Sequence, residues 1–247
     1  MTLKNHKEYV KEQITSNNPW YTNLQLVYEE RENVKRIYKQ RFLFFYKIIK
    51  KEIAKKDKVT LLDYGCGDGY WAAIFSEFPN CEVTGVDYNP VRLERARCLA
   101  KNAKFIEADL CQPNKQLREY DIVFCSQVVE HIENDFLFLA NLKRYLKDDG
   151  VLILGTTNEG CFTQKFRNYR AKEKTDHKHF YKEKEIKDKI EKAGFFIKVF
   201  YREVFYPGFD SIYYGLTSTD LGFKLLELLT IIFPSQCSDY YFVCGLK

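Results

Sequence analysis

A glycine-rich turn directly after a short apolar run constrains the fold of this chain more than any other feature. The run Val59–Tyr64 has the length and composition of a buried strand, and Gly65, Gly67 and Gly69 follow it at alternate positions. Residues that lack a Cβ let the backbone turn sharply and approach a ligand closely. The segment after the turn has a helical pattern, and the free N–H groups of a helix N-terminus favour electron-rich ligand atoms. The sequence therefore predicts a ligand site at this turn.

Strand-like and helix-like segments alternate along the chain from residue 58 onward. The predicted strands are Val59–Tyr64, Glu82–Val86, Lys104–Glu107, Asp121–Cys125, Val151–Gly155, Phe195–Val204 and Tyr240–Leu246. The predicted helices are 70–78, 90–101, Asn134–Lys147 and Lys182–Ala193, and a turn over 148–150 precedes the fifth strand. Repeated strand–helix units predict a doubly wound α/β fold with a mostly parallel sheet of seven strands. Ligands of such sheets bind beyond the carboxyl ends of the strands.

An acidic residue stands at the end of each of the first three predicted strands. Asp63 lies just before the glycine turn, Asp87 lies 24 positions later, and Asp109 follows the third strand. The placement of Asp87 suits a carboxylate group that accepts hydrogen bonds from the two hydroxyls of a ribose. The placement of Asp109 suits a carboxylate group that accepts a hydrogen bond from an adenine amino group. One such acid alone would suit a helix cap or a turn. Three of them at successive strand ends favour a nucleoside site, and the glycine spacing G-x-G-x-G differs from the dinucleotide pattern G-x-G-x-x-G.

These segments resemble the class I S-adenosylmethionine-dependent methyltransferase family from about Val59 to Val204 and again at the final strand. The matching stretches are LLDYGCGDGYW (61–71), VTGVDYNP (83–90), FIEADL (105–110), YDIVFCSQVVEHIEN (120–134), LKDDGVLILGTTN (146–158) and HKHFYKEKEIKDKIEKAGF (177–195). The stretch around Glu130 and His131 is similar to the ubiquinone-pathway O-methyltransferases. The resemblance implies a Rossmann-like sheet, a reversed last strand beside the fifth, and S-adenosylmethionine as co-substrate.

The resemblance also implies roles for individual residues. In that family the glycine turn lies along the methionine part of the methyl donor, the acid matching Asp87 holds the ribose, and the acid matching Asp109 reaches the adenine. The residues implied to bind the co-substrate are Asp63, Gly65, Cys66, Gly67, Asp87, Tyr88, Asp109, Leu110, Ser126 and Gln127. Because Cys66 lies inside the turn, we expect its thiol to pack rather than to act as a nucleophile. Asp148 and Asp149 replace the common Pro-Gly of the family, a change expected to alter only a turn.

Candidate catalytic residues are few because the chain has four histidines. Methyl transfer from a sulfonium needs alignment and a dry site, and an acceptor hydroxyl also needs a base or a polarising group. His131 follows the fourth predicted strand and is the catalytic candidate, although Glu130 and His131 equally suit a cap that braces the loop. His177 is a candidate for the substrate pocket. A metal shared by His177 and His179 lacks a further ligand in register, so no metal site is predicted.

Two regions lie outside the family motifs and are expected to determine the substrate specificity. Residues 1–57 form a predicted N-terminal helical extension, with a helix over Leu24–Lys56, ahead of a methyltransferase domain over 58–247. Residues 205–239 form a predicted substrate or lid insertion before the last strand. Tyr213 in this insertion is a candidate substrate contact.

The helix 221–233 of the insertion is almost entirely apolar, with Lys224 and Glu227 as a narrow polar stripe. Such a helix is usually buried, so packing in the core or in a homodimer is one interpretation. A lid over an apolar substrate and peripheral docking on a membrane surface stay open as alternatives.

The composition excludes several classes of protein. The net charge of +5 is small and the basic residues are dispersed, so there is no strong nucleic-acid signal. No run approaches the ~20 apolar residues of a transmembrane segment. The eight cysteines include no C-x-x-C pair and the polar N-terminal residues have no signal-peptide pattern, which predicts a reduced, cytoplasmic setting.

The function predicted from these observations is transfer of a methyl group from S-adenosylmethionine to an oxygen of a small, lipid-like or glycan acceptor. An RNA or protein acceptor is the first alternative, and a non-catalytic S-adenosylmethionine-binding protein is the second. A protein of the second kind would be expected to lose parts of the donor site. All five residues central to that site are present: Asp63, Gly65, Gly67, Asp87 and Asp109.

Overall fold

The structure is a computed structural model that describes residues 44–158 and 177–247. Its strands are β1 (Val59–Tyr64), β2 (Cys81–Asp87), β3 (Lys104–Glu107), β4 (Tyr120–Ser126), β5 (Leu146–Thr157), β6 (Phe195–Arg202) and β7 (Asp239–Leu246). Its helices are α1 (44–53), α2 (Tyr70–Phe75), α3 (Pro90–Leu99), α4 (Asp135–Leu142), α5 (Glu183–Lys192), α6 (Asp210–Thr217) and α7 (Asp220–Ile232). Short 3-10 turns cover Val129–His131, Lys143–Tyr145 and Pro234–Gln236.

The seven strands of the described residues form one sheet in the order β3-β2-β1-β4-β5-β7-β6. Neighbouring strands pair in parallel, except that β7 is antiparallel to both β5 and β6. The predicted doubly wound, mostly parallel fold is therefore confirmed, and so is the reversed last strand beside the fifth. The strand order reverses between β1 and β4, and in open sheets of this kind such a switch point marks the ligand crevice.

Both faces of the sheet are covered because the strands alternate their side chains between two apolar cores. In β1, Leu62 and Tyr64 join one apolar cluster, whereas Val59 and Leu61 join the other. All six residues of β1 are buried, so the strand has no side that faces solvent. A central strand packed on both faces holds the turn that follows it in a fixed position.

Helix α1 packs on the second of these clusters. Phe45, Ile49 and Ile53 recur every four residues and are buried, and the ring of Phe45 meets that of Phe124 edge-to-face at 4.9 Å. The predicted helix Leu24–Lys56 is therefore helical from residue 44 to residue 53, and its earlier part lies outside the described residues. The division of the chain at residues 57 and 58 stays a prediction.

Three predicted boundaries around β5 are wrong. The predicted helix Asn134–Lys147 ends as α4 at Leu142, and the predicted turn over 148–150 belongs to β5, where the register with β4 shifts. Antiparallel pairing with β7 also carries β5 beyond its predicted end, to Thr157. Pairing with neighbouring strands sets both ends of β5, and the local sequence pattern does not contain that information.

The segment between β6 and β7 contains α6 and α7, which share a small apolar cluster. The buried members of this cluster are Val204, Tyr206, Tyr213, Phe223 and Leu226. The sequence suggested that the apolar helix α7 is buried in a core. This is wrong for one face of the helix, because Leu221 is 81% exposed and Ile231 is 78% exposed. Homodimer packing, a lid function and membrane docking of this helix stay predictions.

Within the described ranges, no helix has the length and apolar character that crossing a membrane requires.

Candidate active site

A cavity of about 440 Å³ opens at the carboxyl ends of β1, β2 and β4, where the switch point of the sheet predicts a ligand. Seven sequence-predicted residues line it: Gly65, Asp87, Tyr88, Asp109, Leu110, Gln127 and His131. The lining also includes Arg92, Cys111, Val128, Ile132 and Lys178. The predicted acids Asp87 and Asp109 therefore share one cavity. Each also accepts a hydrogen bond from the N–H two residues further on, Asn89 at 2.9 Å and Cys111 at 2.8 Å.

The glycine turn brings bare backbone to the wall of this cavity. Gly65 has φ +85°, and a Cβ at this position would lie 2.4 Å from Cγ2 of Val128. Gly67 has φ +51°, and a Cβ there would lie 2.3 Å from Nη2 of Arg92. At Gly65 a left-handed backbone coincides with a lack of space beside Val128, and glycine tolerates both conditions. At Gly67 the overlapping atoms are the end of the flexible Arg92 side chain, so the left-handed backbone is the main constraint there.

Asp87 organises the end of β2 around its buried carboxylate. Its Oδ2 accepts a hydrogen bond from the Gly67 N–H, and its Oδ1 accepts one from the Asn89 N–H, both at 2.9 Å. The Asn89 side chain in turn caps α3 by accepting from the N–H groups of Val91 and Arg92 at 3.0 and 3.2 Å. One carboxylate thus fixes both the glycine turn and the start of the next helix at the cavity.

Asp63 is a buried carboxyl group beside the glycine turn, with 2% of its surface exposed. Its Oδ2 has no hydrogen-bond partner among the described residues. Burial and the nearby charge of Asp87 raise the pKa of Asp63 to about 8, opposed in part by a hydrogen bond from the Ala72 backbone. A buried carboxyl oxygen without a partner is costly, so it is expected where a bound molecule supplies the missing donor.

Three side chains with metal-ligand chemistry meet at the turn after β4. Glu130, His131 and His177 bring ligand-type atoms within 4.8 Å of one another, and the two imidazole rings lie edge-to-face with centroids 4.5 Å apart. The Glu130 side chain is fully buried, and its Oε2 accepts from Thr156 Oγ1 at 3.0 Å. The Glu130 carbonyl accepts from the Lys178 N–H at 2.7 Å, which holds the segment after residue 176 against the turn.

His179 is directed away from this cluster. Its Nε2 lies 2.9 Å from the Ile132 carbonyl oxygen, and its Nδ1 lies 3.6 Å from Oδ2 of Asp135. The neighbour of His177 is therefore His131 and not His179, although His179 lies only two residues away in the sequence. A metal shared by His177 and His179, the alternative considered from the sequence, has no support in this geometry.

A family model described as a methyltransferase domain matches residues 31–197 of this chain. The chain belongs to the class I S-adenosylmethionine-dependent methyltransferase family. The methyltransferase is 31% identical over 163 residues to the ubiquinone biosynthesis O-methyltransferase of Rickettsia prowazekii (strain Madrid E), a match that covers 64% of this chain and 62% of that protein. It is 36% identical over 101 residues to the trans-aconitate 2-methyltransferase of Enterobacter sp. (strain 638), covering 40% of each chain. The methyltransferase thus spans less than two thirds of the length of these curated relatives.

The fold of the methyltransferase also matches solved structures. A TehB-like SAM-dependent methyltransferase from Corynebacterium glutamicum superposes with a TM-score of 0.52 at 17% sequence identity, over 85% of this chain and 96% of that one. At this level of identity the likeness supports the fold alone.

S-adenosylmethionine is the co-substrate of the family to which the chain belongs. Two observations test whether the residues present suit this molecule. The wall at Gly65 is bare backbone that leaves no room for a side chain, and Asp63 offers a buried oxygen that lacks a donor among the described residues. Both features fit a bound molecule that carries its own N–H donor and lies against the backbone.

Arg92 of the methyltransferase lines the cavity, and sequence reasoning missed it. Its Nη2 lies close to Gly67, and its Nε donates to Oδ1 of Asp68 at 3.3 Å. The signal for this residue is its place in the first turn of α3, directly beyond the Asn89 cap. That helix begins at the carboxyl edge of the sheet, where ligands of such folds bind.

Gln127 has an uncommon backbone conformation at the end of β4. Its φ of +59° falls in the left-handed region, and its side-chain amide donates to Oδ1 of Asp239 at 3.1 Å. Asp239 is the first residue of β7. The predicted co-substrate residue Gln127 is therefore fixed in the cavity wall by a contact with the far end of the sequence.

Six predicted residues lie outside the cavity lining: Asp63, Cys66, Gly67, Ser126, His177 and Tyr213. Cys66 is buried, and burial raises the pKa of its thiol, which agrees with packing rather than nucleophilic chemistry. Ser126 is the last residue of β4, and His177 belongs to the cluster with Glu130. Tyr213 packs in the small cluster beneath α7, so its assignment to the substrate stays a prediction.

Proposed function

We propose that the methyltransferase transfers the methyl group of S-adenosylmethionine to an oxygen atom of a small, lipid-like acceptor. This class of acceptors includes lipid-linked glycans. The observation that carries this proposal is the His131 imidazole in the cavity wall, with the buried Glu130 next to it in the chain. The similarity to an O-methyltransferase of ubiquinone biosynthesis supports oxygen as the acceptor atom.

We assign the donor to the carboxyl ends of β1, β2 and β3. S-adenosylmethionine supplies a methyl group on a sulfonium, which is already a good leaving group. The bare backbone of Gly65 and Gly67 is assigned to its methionine part, Asp87 to the ribose hydroxyls and Asp109 to the adenine amino group. The free oxygen of Asp63 accepts a further hydrogen bond. Alignment of the two reactants then supplies most of the acceleration, up to ~7–11 kcal/mol for well-oriented groups.

The acceptor oxygen is assigned to His131. The backbone N–H of His131 donates to the Val128 carbonyl at 3.0 Å, so the turn that carries the imidazole is fixed at the cavity. An acceptor hydroxyl loses its proton as the new O–C bond forms. Imidazole is the side chain most often used for proton chemistry near neutral pH, which makes His131 the expected point of activation.

The outward face of α7 supports a lipid-like acceptor. Leu221, Leu225, Leu228 and Ile232 are exposed and spaced four, three and four residues apart, so they form one stripe on the helix. Exposed apolar stripes of this kind mark contacts with apolar partners. We therefore assign residues 205–239 to the acceptor side of the enzyme.

The experiment is to incubate the full-length protein with methyl-labelled S-adenosylmethionine and separate pools of prenylated phenols, lipid-linked glycans, RNA and protein. We expect label in the lipid pools as a methyl ether or methyl ester, identified by tandem mass spectrometry. Label on nitrogen, on RNA or on protein would overturn the proposed acceptor. The Asp87→Ala variant, prepared in the same way, controls for contaminating methyltransferases.

A further inference from the structure

We propose that Glu130, His131 and His177 bind one divalent transition-metal cation at the wall of the donor cavity. Their ligand-type atoms all lie within 4.8 Å of one another. Two ligands that each bind one ion at ~2.0–2.2 Å lie at most about 4.4 Å apart. Small rotations of the three side chains therefore bring all of them into contact with a single ion.

The three groups are held close together by contacts that do not involve an ion. The fully buried Glu130 is oriented by Thr156 Oγ1, which donates to its Oε2 at 3.0 Å. The N–H groups of Lys178 and His179 donate to the Glu130 carbonyl at 2.7 and 3.1 Å, which places His177 beside the turn. A hydrogen-bonded ligating carboxylate is the usual outer-shell arrangement of a metal site, and it lowers the cost of ordering the ligands.

The ligand types indicate which cations the site prefers. Two imidazoles and one carboxylate suit zinc, manganese, iron or cobalt, whereas magnesium and calcium prefer sets made of oxygen ligands alone. A buried carboxylate is also costly unless a cation or strong donors compensate its charge. Three protein ligands leave coordination positions open, and because His131 lines the cavity these positions are accessible to a molecule bound there.

A cation here has a direct consequence for methyl transfer, and this part of the inference rests on the proposed function. An acceptor hydroxyl bound to the cation loses its proton to solvent more readily, because the positive charge stabilises the oxyanion. The oxygen then forms a bond to the methyl carbon, and the electron pair of the C–S bond returns to sulfur. His131 acts on the acceptor through the cation rather than as a free base.

The binding test uses the full-length protein after treatment with a chelator and dialysis. Co²⁺ is added while its visible d–d absorption is recorded, and Zn²⁺ and Mn²⁺ are titrated by calorimetry. We expect saturation at one ion per chain and a loss of affinity of at least ~10–100-fold in His177→Gln, the loss found even for outer-shell partners of metal sites. The matched control, His179→Gln, lies two residues away and is expected to keep the wild-type affinity.

Two results would overturn the metal site: no saturable Co²⁺ band in the wild-type protein, or an equal loss of affinity in His177→Gln and His179→Gln. S-adenosylhomocysteine binding is measured in both variants to confirm a folded donor site. Metal binding without any oxygen-methylated product would refute the proposed acceptor and leave the site standing. Methylation that proceeds in a protein without measurable metal affinity would refute the site alone.

Discussion

The backbone N–H of Gly67 donates to Oδ2 of Asp87 at 2.9 Å, which joins the turn after β1 to the end of β2. The same carboxylate accepts from the Asn89 N–H through its other oxygen. Asp87 therefore supports the shape of the cavity and also contributes to its wall. Loss of this side chain affects both tasks at once.

Replacement of Asp87 by alanine is expected to weaken binding of S-adenosylmethionine and S-adenosylhomocysteine. A hydrogen bond to a charged group contributes about 1.5–3 kcal/mol, so the expected loss is at least ~10-fold in affinity. Isothermal titration calorimetry measures both affinities. Unchanged affinities in a folded Asp87→Ala protein would remove the ribose assignment.

The Gly65→Ala variant tests whether bare backbone is required at the cavity. The φ of +85° strains any residue with a side chain, at a cost of about 1–3 kcal/mol, and the added Cβ overlaps Val128. We expect lower unfolding free energy and weaker donor binding. Adding Val128→Ala is expected to restore part of the donor affinity, whereas the backbone strain remains. Val128→Ala alone is the control. Denaturant unfolding and calorimetry separate the two effects.

The Asp63→Asn variant is expected to gain stability in the absence of ligand. The pKa of Asp63 is raised to about 8 from an ordinary value of 3.8, so the folded protein binds the proton more tightly than the unfolded chain does. Stability contributed by this group is present below pH 4 and is lost as pH rises through 8. The gain in Asp63→Asn is therefore expected to be largest above pH 8 and absent near pH 4, with Tm rising roughly 2–4 °C per kcal/mol recovered.

The same substitution is expected to abolish the proton release that accompanies donor binding. At pH 7 the free Asp63 carboxyl is protonated, and a cationic ligand favours its ionised form, so binding displaces a proton. Calorimetry in buffers of different ionisation enthalpy counts the protons. Equal proton release in wild type and Asp63→Asn would show that another group is responsible.

Asp121 is expected to respond to pH in the opposite direction. Burial alone would raise its pKa, but hydrogen bonds from Lys56, Lys147 and Thr60 outweigh burial and hold the pKa of Asp121 below its ordinary range. Its contribution to stability is present above pH 4 and is lost as the solution becomes more acidic. We expect Asp121→Asn to lower the unfolding free energy at pH 7, with little difference from wild type in strong acid. Donor affinity in the folded variant is expected to stay at the wild-type value, because Asp121 lies outside the cavity lining.

Replacement of His131 by alanine is expected to lower turnover by at least ~100-fold, because it removes the activation of the acceptor hydroxyl, a contribution that is usually of this size. The affinity for S-adenosylhomocysteine is expected to change little. Single-turnover kinetics and calorimetry measure the two quantities separately. A fully active His131→Ala enzyme would return this residue to a structural role in the turn.

The features predicted correctly from the sequence are those encoded by neighbouring residues. The glycine turn and Asp87 lie at the ends of two short strands, so their approach follows from the parallel sheet. The reversed place of β7 came from resemblance to a family, because no local pattern specifies an antiparallel partner. The contact of His131 with His177 joins residues that are distant in sequence, and periodicity carries no information about it. Periodicity equally gives no sign that His179 is directed toward the Ile132 carbonyl and Asp135 rather than toward His177.

The position of β7 has a consequence for how this protein is made. β5 and β6 leave the ribosome before β7, the strand that pairs with both of them. β6 therefore lacks this partner strand until residues 239–246 are translated. Gln127 also lacks a contact until then, because its side-chain amide donates a hydrogen bond to Asp239. The cavity wall therefore gains the anchor of Gln127 only once residue 239 has been added to the chain.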